Sequence, residues 1–262
     1  FIELRFNKSI TTKKKLASSR ERAKSLILAG KVRITGEISD KPGRLCDEGC
    51  EIRIIEDTHP YVSRGGVKLE YALKKFNISL TDKVGLDIGA STGGFTDCLL
   101  QHGISKVFAV DVGYGQLDWK LQSDSRVISL DRKNARNLEK NDIKELVDLV
   151  VIDVSFISLK YIIPASINVL KPTGDLIALV KPQFEVGKEE VENKGIIKSP
   201  MKHLNVMIEL NIFMKKQGWP ITNITSSPIT GQKGNREFLI HCLIKKNSST
   251  IEDDDIRNMI NI

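Results

Sequence analysis

The sequence predicts an α/β protein built on a doubly wound, mainly parallel sheet, with a smaller α+β unit ahead of it. Three observations carry this. Val84 to Ile88 is an apolar run that exits through Gly89-Ala90-Ser91-Thr92-Gly93-Gly94 into residues compatible with a helix, giving strand, glycine-rich turn and helix in succession. Downstream, short apolar runs alternate with longer segments of helical periodicity, as in successive βαβ units. Across Thr58 to Ser63 a short, charge-rich composition gives way to a longer, apolar-periodic one, which divides the chain into residues 1–60 and 61–246.

In the first part, Ser18 to Gly30 reads as a helix with serine at its N-cap and glycine just past its end. Lys31 to Thr35 alternates as a strand, Gly36 punctuates it, and Cys50 to Ile55 supplies another strand after a polar loop. In the second part, Val67, Leu69, Leu73 and Phe76 predict an amphipathic helix over Ser63 to Phe76. Strands follow at Val84–Ile88, Lys106–Val110, Val127–Leu130, Leu149–Val154, Leu176–Lys181, Ile221–Ser226 and Glu237–Ile244, with helices at Ile157–Leu170 and Lys202–Gln217. No crossover helix separates the last two strands, so the final strand is expected to be antiparallel. Residues 247–262, with Glu252-Asp253-Asp254-Asp255, read as a polar tail, either mobile or a short surface helix.

Composition narrows the partners. Forty Lys and Arg against 33 Asp and Glu give a net charge of +7, and residues 1–63 hold 13 of the cations against 9 of the anions. A basic balance of this kind favours a polyanionic partner, with nucleic acid the leading candidate. Four scattered cysteines suit a reducing cytoplasm, and Cys46 and Cys50 lack the companions of a zinc site, so no metal is expected. No apolar run reaches membrane-spanning length, and Phe1 to Phe6 shows no signal layout, so a soluble protein without a membrane partner is expected.

The glycine turn departs from two familiar patterns. A dinucleotide loop needs a glycine at Ser91, and a phosphate loop needs Gly-Lys-Ser/Thr where Gly93-Gly94-Phe95 stands. The remaining common occupant is S-adenosylmethionine, which needs close backbone approach but carries no pyrophosphate. Asp87, Gly89, Ala90, Ser91, Thr92, Gly93, Gly94 and Phe95 are its candidate cradle. Asp111 ends the next strand at about the twenty-residue separation of a ribose-binding carboxylate. Read alone it is better taken as a helix cap or turn residue; together with the glycine turn it favours the ribose. Asn134 and Asp131 lie near the expected adenine by position in the fold, and Val112, next to Asp111, is a further cofactor-binding candidate. Asp153 and Lys181 end otherwise apolar strands at the edge that faces ligands, and Lys68 and Glu237 can converge there; for each, a strand or helix simply reaching solvent is the plainer reading.

Two resemblances sharpen this. Ser19, Arg20, Ala23, Leu26, Ile27, Gly30 and Val32, followed by Lys41-Pro42, resemble an S4-type RNA-binding domain. The resemblance implies RNA-backbone contacts for Arg20, Arg22 and Lys24 and, nearby, Lys13, Lys14 and Lys15, against the plain alternative of a solvated surface. Arg64, between the two parts, is a further candidate. Tyr61 to Leu69, Asp87 to Asp97, Asp111 to Leu117, Asp153 to Leu159, Val180 to Glu185 and Gly234 to Phe238 resemble the TlyA, or hemolysin A, family, which is similar to FtsJ-type ribose 2′-O-methyltransferases. That resemblance implies a catalytic Lys68, Asp153, Lys181 and Glu237, and S-adenosylmethionine-dependent methylation of a cytidine ribose in ribosomal RNA or ribosomal subunits. With it, RNA and not DNA is the expected partner. A ribose hydroxyl is a very weak acid, so a lysine of lowered pKa is expected as base; Lys181 is the candidate, aided by like charge from Lys68, with Asp153 and Glu237 orienting the two lysines. A non-catalytic RNA-binding protein and a membrane-active hemolysin are the alternatives. Oligomeric state and the modified nucleotide stay open.

Overall fold

The computed structural model describes residues 4–5, 16, 23, 26–27, 30–39, 41, 43–46, 49–54, 59–187, 189, 191, 195–231, 233–243 and 250–260. Lys13, Lys14, Lys15, Arg20, Arg22 and Lys24 lie outside the described residues. The chain divides into two compact units, Phe1–Pro60 and Tyr61–Ile262.

In the first unit Ala23, Leu26 and Ile27 are helical and buried. Leu26 and Ile27 share a small core with Val32, Ile34 and Ile52. Strand β1 (Leu4–Arg5) pairs antiparallel with β4 (Leu45–Cys46). β2 (Val32–Ile34) pairs antiparallel with both β3 (Glu37–Ile38) and β5 (Ile52–Ile54). Thr35 and Gly36 both have positive φ, which closes the β2–β3 hairpin as a two-residue turn with the twist such a turn needs. β1, β3 and β4 were absent from the sequence reading because two residues carry no measurable alternation.

The second unit is one seven-stranded sheet: β6 (Val84–Ile88), β7 (Lys106–Val110), β8 (Val127–Leu130), β9 (Val147–Ile152), β10 (Leu170–Val180), β11 (Ile221–Ser226) and β12 (Phe238–Cys242). Their order is β11-β12-β10-β9-β6-β7-β8. Six strands point the same way, and β12 inserts antiparallel between β10 and β11. The helices are α1 (Gly65–Lys75), α2 (Gly94–Gln101), α3 (Trp119–Gln122), α4 (Lys140–Ile143), α5 (Ile163–Asn168), α6 (Pro182–Glu185), α7 (Pro200–Lys216) and α8 (Asp253–Ile260). On one face Leu69, Ala72 and Leu73 of α1 and Leu99 of α2 pack with Val151, Leu179 and Leu239. On the other, Ile163 of α5 and Leu204, Met207 and Leu210 of α7 pack with Ile152, Val180 and Phe238. Burial on both faces explains why these strands read as continuous apolar runs.

Two expectations change and a third is resolved. The helix predicted over Ile157–Leu170 is a 3-10 turn at Leu159–Tyr161 followed by α5, because Pro164 has no N–H to donate and belongs in a first turn rather than an interior. β10 starts six residues earlier than the predicted Leu176, with an irregularity between Leu170 and Asp175 that Pro172 and Gly174 accommodate. The acidic tail takes the second of its two expected forms, and α8 is anchored: Ile256 and Ile260 are buried, and the Arg236 guanidinium donates to the Met259 and Ile260 carbonyls left unpaired at the helix end.

Candidate active site

The strand order reverses between β9 and β6, and in an open α/β sheet the crevice at that carboxyl edge is where ligands bind. The chain closes tightly there. Gly89 and Ala90 donate their N–H groups to the Val110 carbonyl at 2.9 and 3.1 Å, and the Asp153 N–H donates to Ile88 at 2.9 Å. Gly89 has φ +83°, and a Cβ on it would lie 2.5 Å from the Asp153 carbonyl oxygen, so a side chain would push β9 away from β6. Gly93, φ +96°, turns the chain into α2 with its Cα against Leu121. Ser91 N–H donates to Asp111 Oδ2 at 2.8 Å and Gly113 N–H to Oδ1 at 2.7 Å, so this carboxylate splints the glycine turn to the loop after β7. Asp131 holds the far side of that loop through Gly115 N–H at 3.0 Å, and Val112 between them is 71% exposed.

Asp87 is fully buried beneath the turn. Thr96 Oγ1–H donates to its Oδ2 at 2.7 Å, while Oδ1 is buried and has no hydrogen-bond partner. Burial pushes this carboxyl up to about 7, with the charges of Asp153 and Asp111 adding to the rise and Thr96 opposing it. A glycine cradle, a two-acceptor carboxylate at its rim and a buried acceptor left open beneath it suit a ligand with vicinal hydroxyls and an ammonium group.

Strand alternation brings the four strand-end and helix candidates to one place. Val151, Leu179 and Leu239 face α1 and α2. Two steps beyond Val151 and Leu179 stand Asp153 and Lys181, and two steps before Leu239 stands Glu237, all on the same face. Val180 pairs with Phe238, so Lys181 and Glu237 take the next rung of the ladder. Lys181 Nζ lies 2.6 Å from Asp153 Oδ1 and donates to Ser155 Oγ at 2.9 Å. Lys68, on the second turn of α1, donates to Glu237 Oε2 at 2.5 Å, with both side chains buried. The Tyr61–Gly66 segment that starts α1 is fixed by Val62 N–H donating to Asp97 Oδ2 at 2.8 Å.

Glu185 and Asn235 take roles that sequence reasoning did not assign, and Phe156 and Arg64 are placed by the structure. Glu185 accepts from Ser158 Oγ–H at 2.6 Å and Leu159 N–H at 2.9 Å, which locks the loop after β9 to the one after β10; burial raises its carboxyl. Asn235, buried, bridges Ile197 N–H and the Gly195 carbonyl. Phe156 is 90% exposed with φ +64°, its ring 5.0 Å from Phe184. Arg64 is exposed and donates to the Thr230 carbonyl at 2.6 Å. Asn235, Glu185 and Asp97 all stand in segments that carry the family resemblance, but no local signal gives their hydrogen-bond partners.

The model of the FtsJ-like methyltransferase family matches residues 61–243. The chain belongs to that family. Ahead of its FtsJ-like methyltransferase unit, the model of the S4 domain matches residues 5–52. A Bacillus subtilis relative named "Putative rRNA methyltransferase YqxC" is 47% identical over 86% of this chain and 81% of its own. A Mycobacterium tuberculosis relative, named 16S/23S rRNA (cytidine-2′-O)-methyltransferase TlyA, is 42% identical over 86% of this chain and 84% of its own. The solved structure "Putative hemolysin from Streptococcus thermophilus" is 42% identical, covers 99% of this chain and 94% of its own, and superposes with a TM-score of 0.77. The FtsJ-like methyltransferase unit thus sits in a TlyA and hemolysin A group with an S4 domain in front. Among the described residues no helix is long and apolar enough to cross a membrane.

Proposed function

We propose that this methyltransferase uses S-adenosylmethionine to methylate a ribose 2′-hydroxyl of ribosomal RNA, on a cytidine, in the cytoplasm. The observation that carries the reading is the pairing of Lys181 with Asp153 and of Lys68 with Glu237 on one sheet face at the ligand edge, beside the glycine turn. The names of the relatives support the substrate, and the S4 domain supports an RNA partner. S-adenosylmethionine supplies a methyl carbon made electrophilic by its sulfonium sulfur. Asp111 is suited to the ribose hydroxyls of that group, and the open Oδ1 of Asp87 to its ammonium.

A ribose hydroxyl is a very weak acid, so its proton must leave as the new oxygen–carbon bond forms. Lys181 Nζ takes that proton. Asp153 and Ser155 fix its position, and Asp153 stabilises the ammonium that results. Lys68 donates a hydrogen bond to the attacking oxygen and is itself held by Glu237. Exposed Phe156 and half-buried Phe184 form an aromatic pair next to Ser155 in sequence, suited to an unstacked base. Incubation with labelled S-adenosylmethionine and unmodified ribosomal RNA, followed by digestion to nucleosides, is expected to give label in 2′-O-methylcytidine. Label on a base, or none on RNA, contradicts the proposal.

A further inference from the structure

Among the described residues the five most exposed large apolar side chains are Phe156, Tyr114, Val112, Tyr161 and Trp119. All five lie in the loops that leave the carboxyl ends of β7 and β9, the edge that holds the site. Two of them carry a cation: the Arg132 guanidinium lies 4.5 Å from the Tyr114 ring centre, and that of Arg136 lies 5.2 Å from the Tyr161 ring centre. Tyr114 is 72% exposed and Tyr161 64%. Among the described residues neither arginine forms an ion pair with a carboxylate.

A planar cation over an open aromatic face in water stabilises little and orders two flexible side chains, so fold stability does not account for either pair. Both pairs are instead held by the groups that build the site. Gly113 and Gly115, on either side of Tyr114, are hydrogen-bonded to Asp111 and Asp131. Ser158 caps the turn that carries Tyr161, and its hydroxyl donates to Glu185, four residues after Lys181. Arg136 sits in a turn capped by Asn134. The aromatic ring offers a stacking face to a base, and the guanidinium offers both a second stacking plane and a charge for phosphate.

We infer that Arg132–Tyr114 and Arg136–Tyr161 are two preformed stacking positions for single-stranded nucleotides on either side of the methylated one. The inference rests on the RNA substrate proposed above and adds where the flanking strand lies. An electrostatic patch alone would need only charge; this arrangement needs the plane of the guanidinium as well.

The test uses the full chain, a fluorescent single-stranded RNA oligonucleotide and the variants Tyr161→Ala, Tyr161→Phe, Arg136→Ala, Arg136→Lys and Tyr114→Ala. Affinity is read by anisotropy, S-adenosylmethionine binding by calorimetry, and methyl transfer as KM and kcat. Each alanine variant is expected to weaken the oligonucleotide about 10-fold, raise KM, and leave kcat, S-adenosylmethionine affinity and Tm at wild-type values. Tyr161→Phe keeps affinity and Arg136→Lys loses it. Unchanged RNA affinity in the alanine variants, wild-type affinity in Arg136→Lys, or a parallel loss of S-adenosylmethionine binding each overturns the inference. If the wild type methylates no RNA while the alanine variants still lose oligonucleotide binding, the proposed reaction fails and the stacking surface stands.

Discussion

Replacing Lys68 with methionine leaves the Glu237 carboxylate, 3% exposed, without its cation. Breaking a buried ion pair from one side costs about 3–5 kcal/mol, because the remaining charge is neither solvated nor paired. At about 2–4 °C per kcal/mol for a domain of this size, Lys68→Met is expected to lower Tm by roughly 6–20 °C. Removing both charges, as in Lys68→Met with Glu237→Leu, restores stability to within about 1 kcal/mol of wild type, since well-packed apolar replacements of buried pairs are close to neutral. Calorimetric melting of the wild type, both single variants and the double variant gives the coupling energy directly. Methyl transfer, assayed on the same preparations, is expected to be lost in all three variants. The account requires the double variant to be stable and inactive. A single variant that melts with the wild type, or a double variant whose losses add, would refute the pairing; a double variant that methylates at the wild-type rate would refute its part in the chemistry.

Three further outcomes follow from the geometry. Gly89→Ala forces a left-handed backbone costing about 1–2 kcal/mol and sets a methyl group against the Asp153 carbonyl; both Tm and S-adenosylmethionine affinity should fall, and wild-type values for both would count against the close approach. Asp87 rises from an ordinary 3.8 to about 7 on folding, so the folded state holds its proton more tightly. Stability should therefore be greatest below about pH 4 in this contribution, fall as pH rises to about 7 and level off above it, spanning roughly 4 kcal/mol. Urea unfolding of Asp87→Asn at pH 5 and pH 8 should show that slope diminished, and an unaltered slope would show that another group titrates. Ile256→Ala empties a fully buried position under α8, for an expected loss of about 2–5 kcal/mol; a change within error in denaturant midpoint would mean that the C-terminal helix is not part of the folded unit.

The cradle was legible because it is local. One strand, one glycine turn and one helix follow each other within Val84 to Gln101, and two of the glycines stand where the backbone has positive φ. The strand ends were legible too, since a charge after a fully apolar run marks where the sheet reaches its ligand edge. Their partnership was not. Lys68 and Glu237 are 169 residues apart, and only the insertion of β12 between β10 and β11 sets Glu237 beside Lys181 and under α1. Glu185 and Asp97 work through long-range hydrogen bonds that leave no periodic trace. Ile157–Leu170 misled because apolar spacing outweighed Pro164, whose missing N–H decided the helix start. Phe156 was not decided by its type, since an aromatic residue suits core and pocket alike, and it is exposed on a left-handed backbone that its sequence neighbours do not announce.

The central claim is that Lys181, positioned by Asp153, takes the proton from a ribose hydroxyl. Single-turnover transfer of labelled methyl to unmodified ribosomal RNA, by the wild type and Lys181→Ala with S-adenosylmethionine affinity measured on both, tests it most directly. The account predicts ribose-linked label from the wild type, a loss of at least about 100-fold in the variant, as is typical when a general base is removed, and equal S-adenosylmethionine affinity. Transfer by Lys181→Ala at close to the wild-type rate would contradict it.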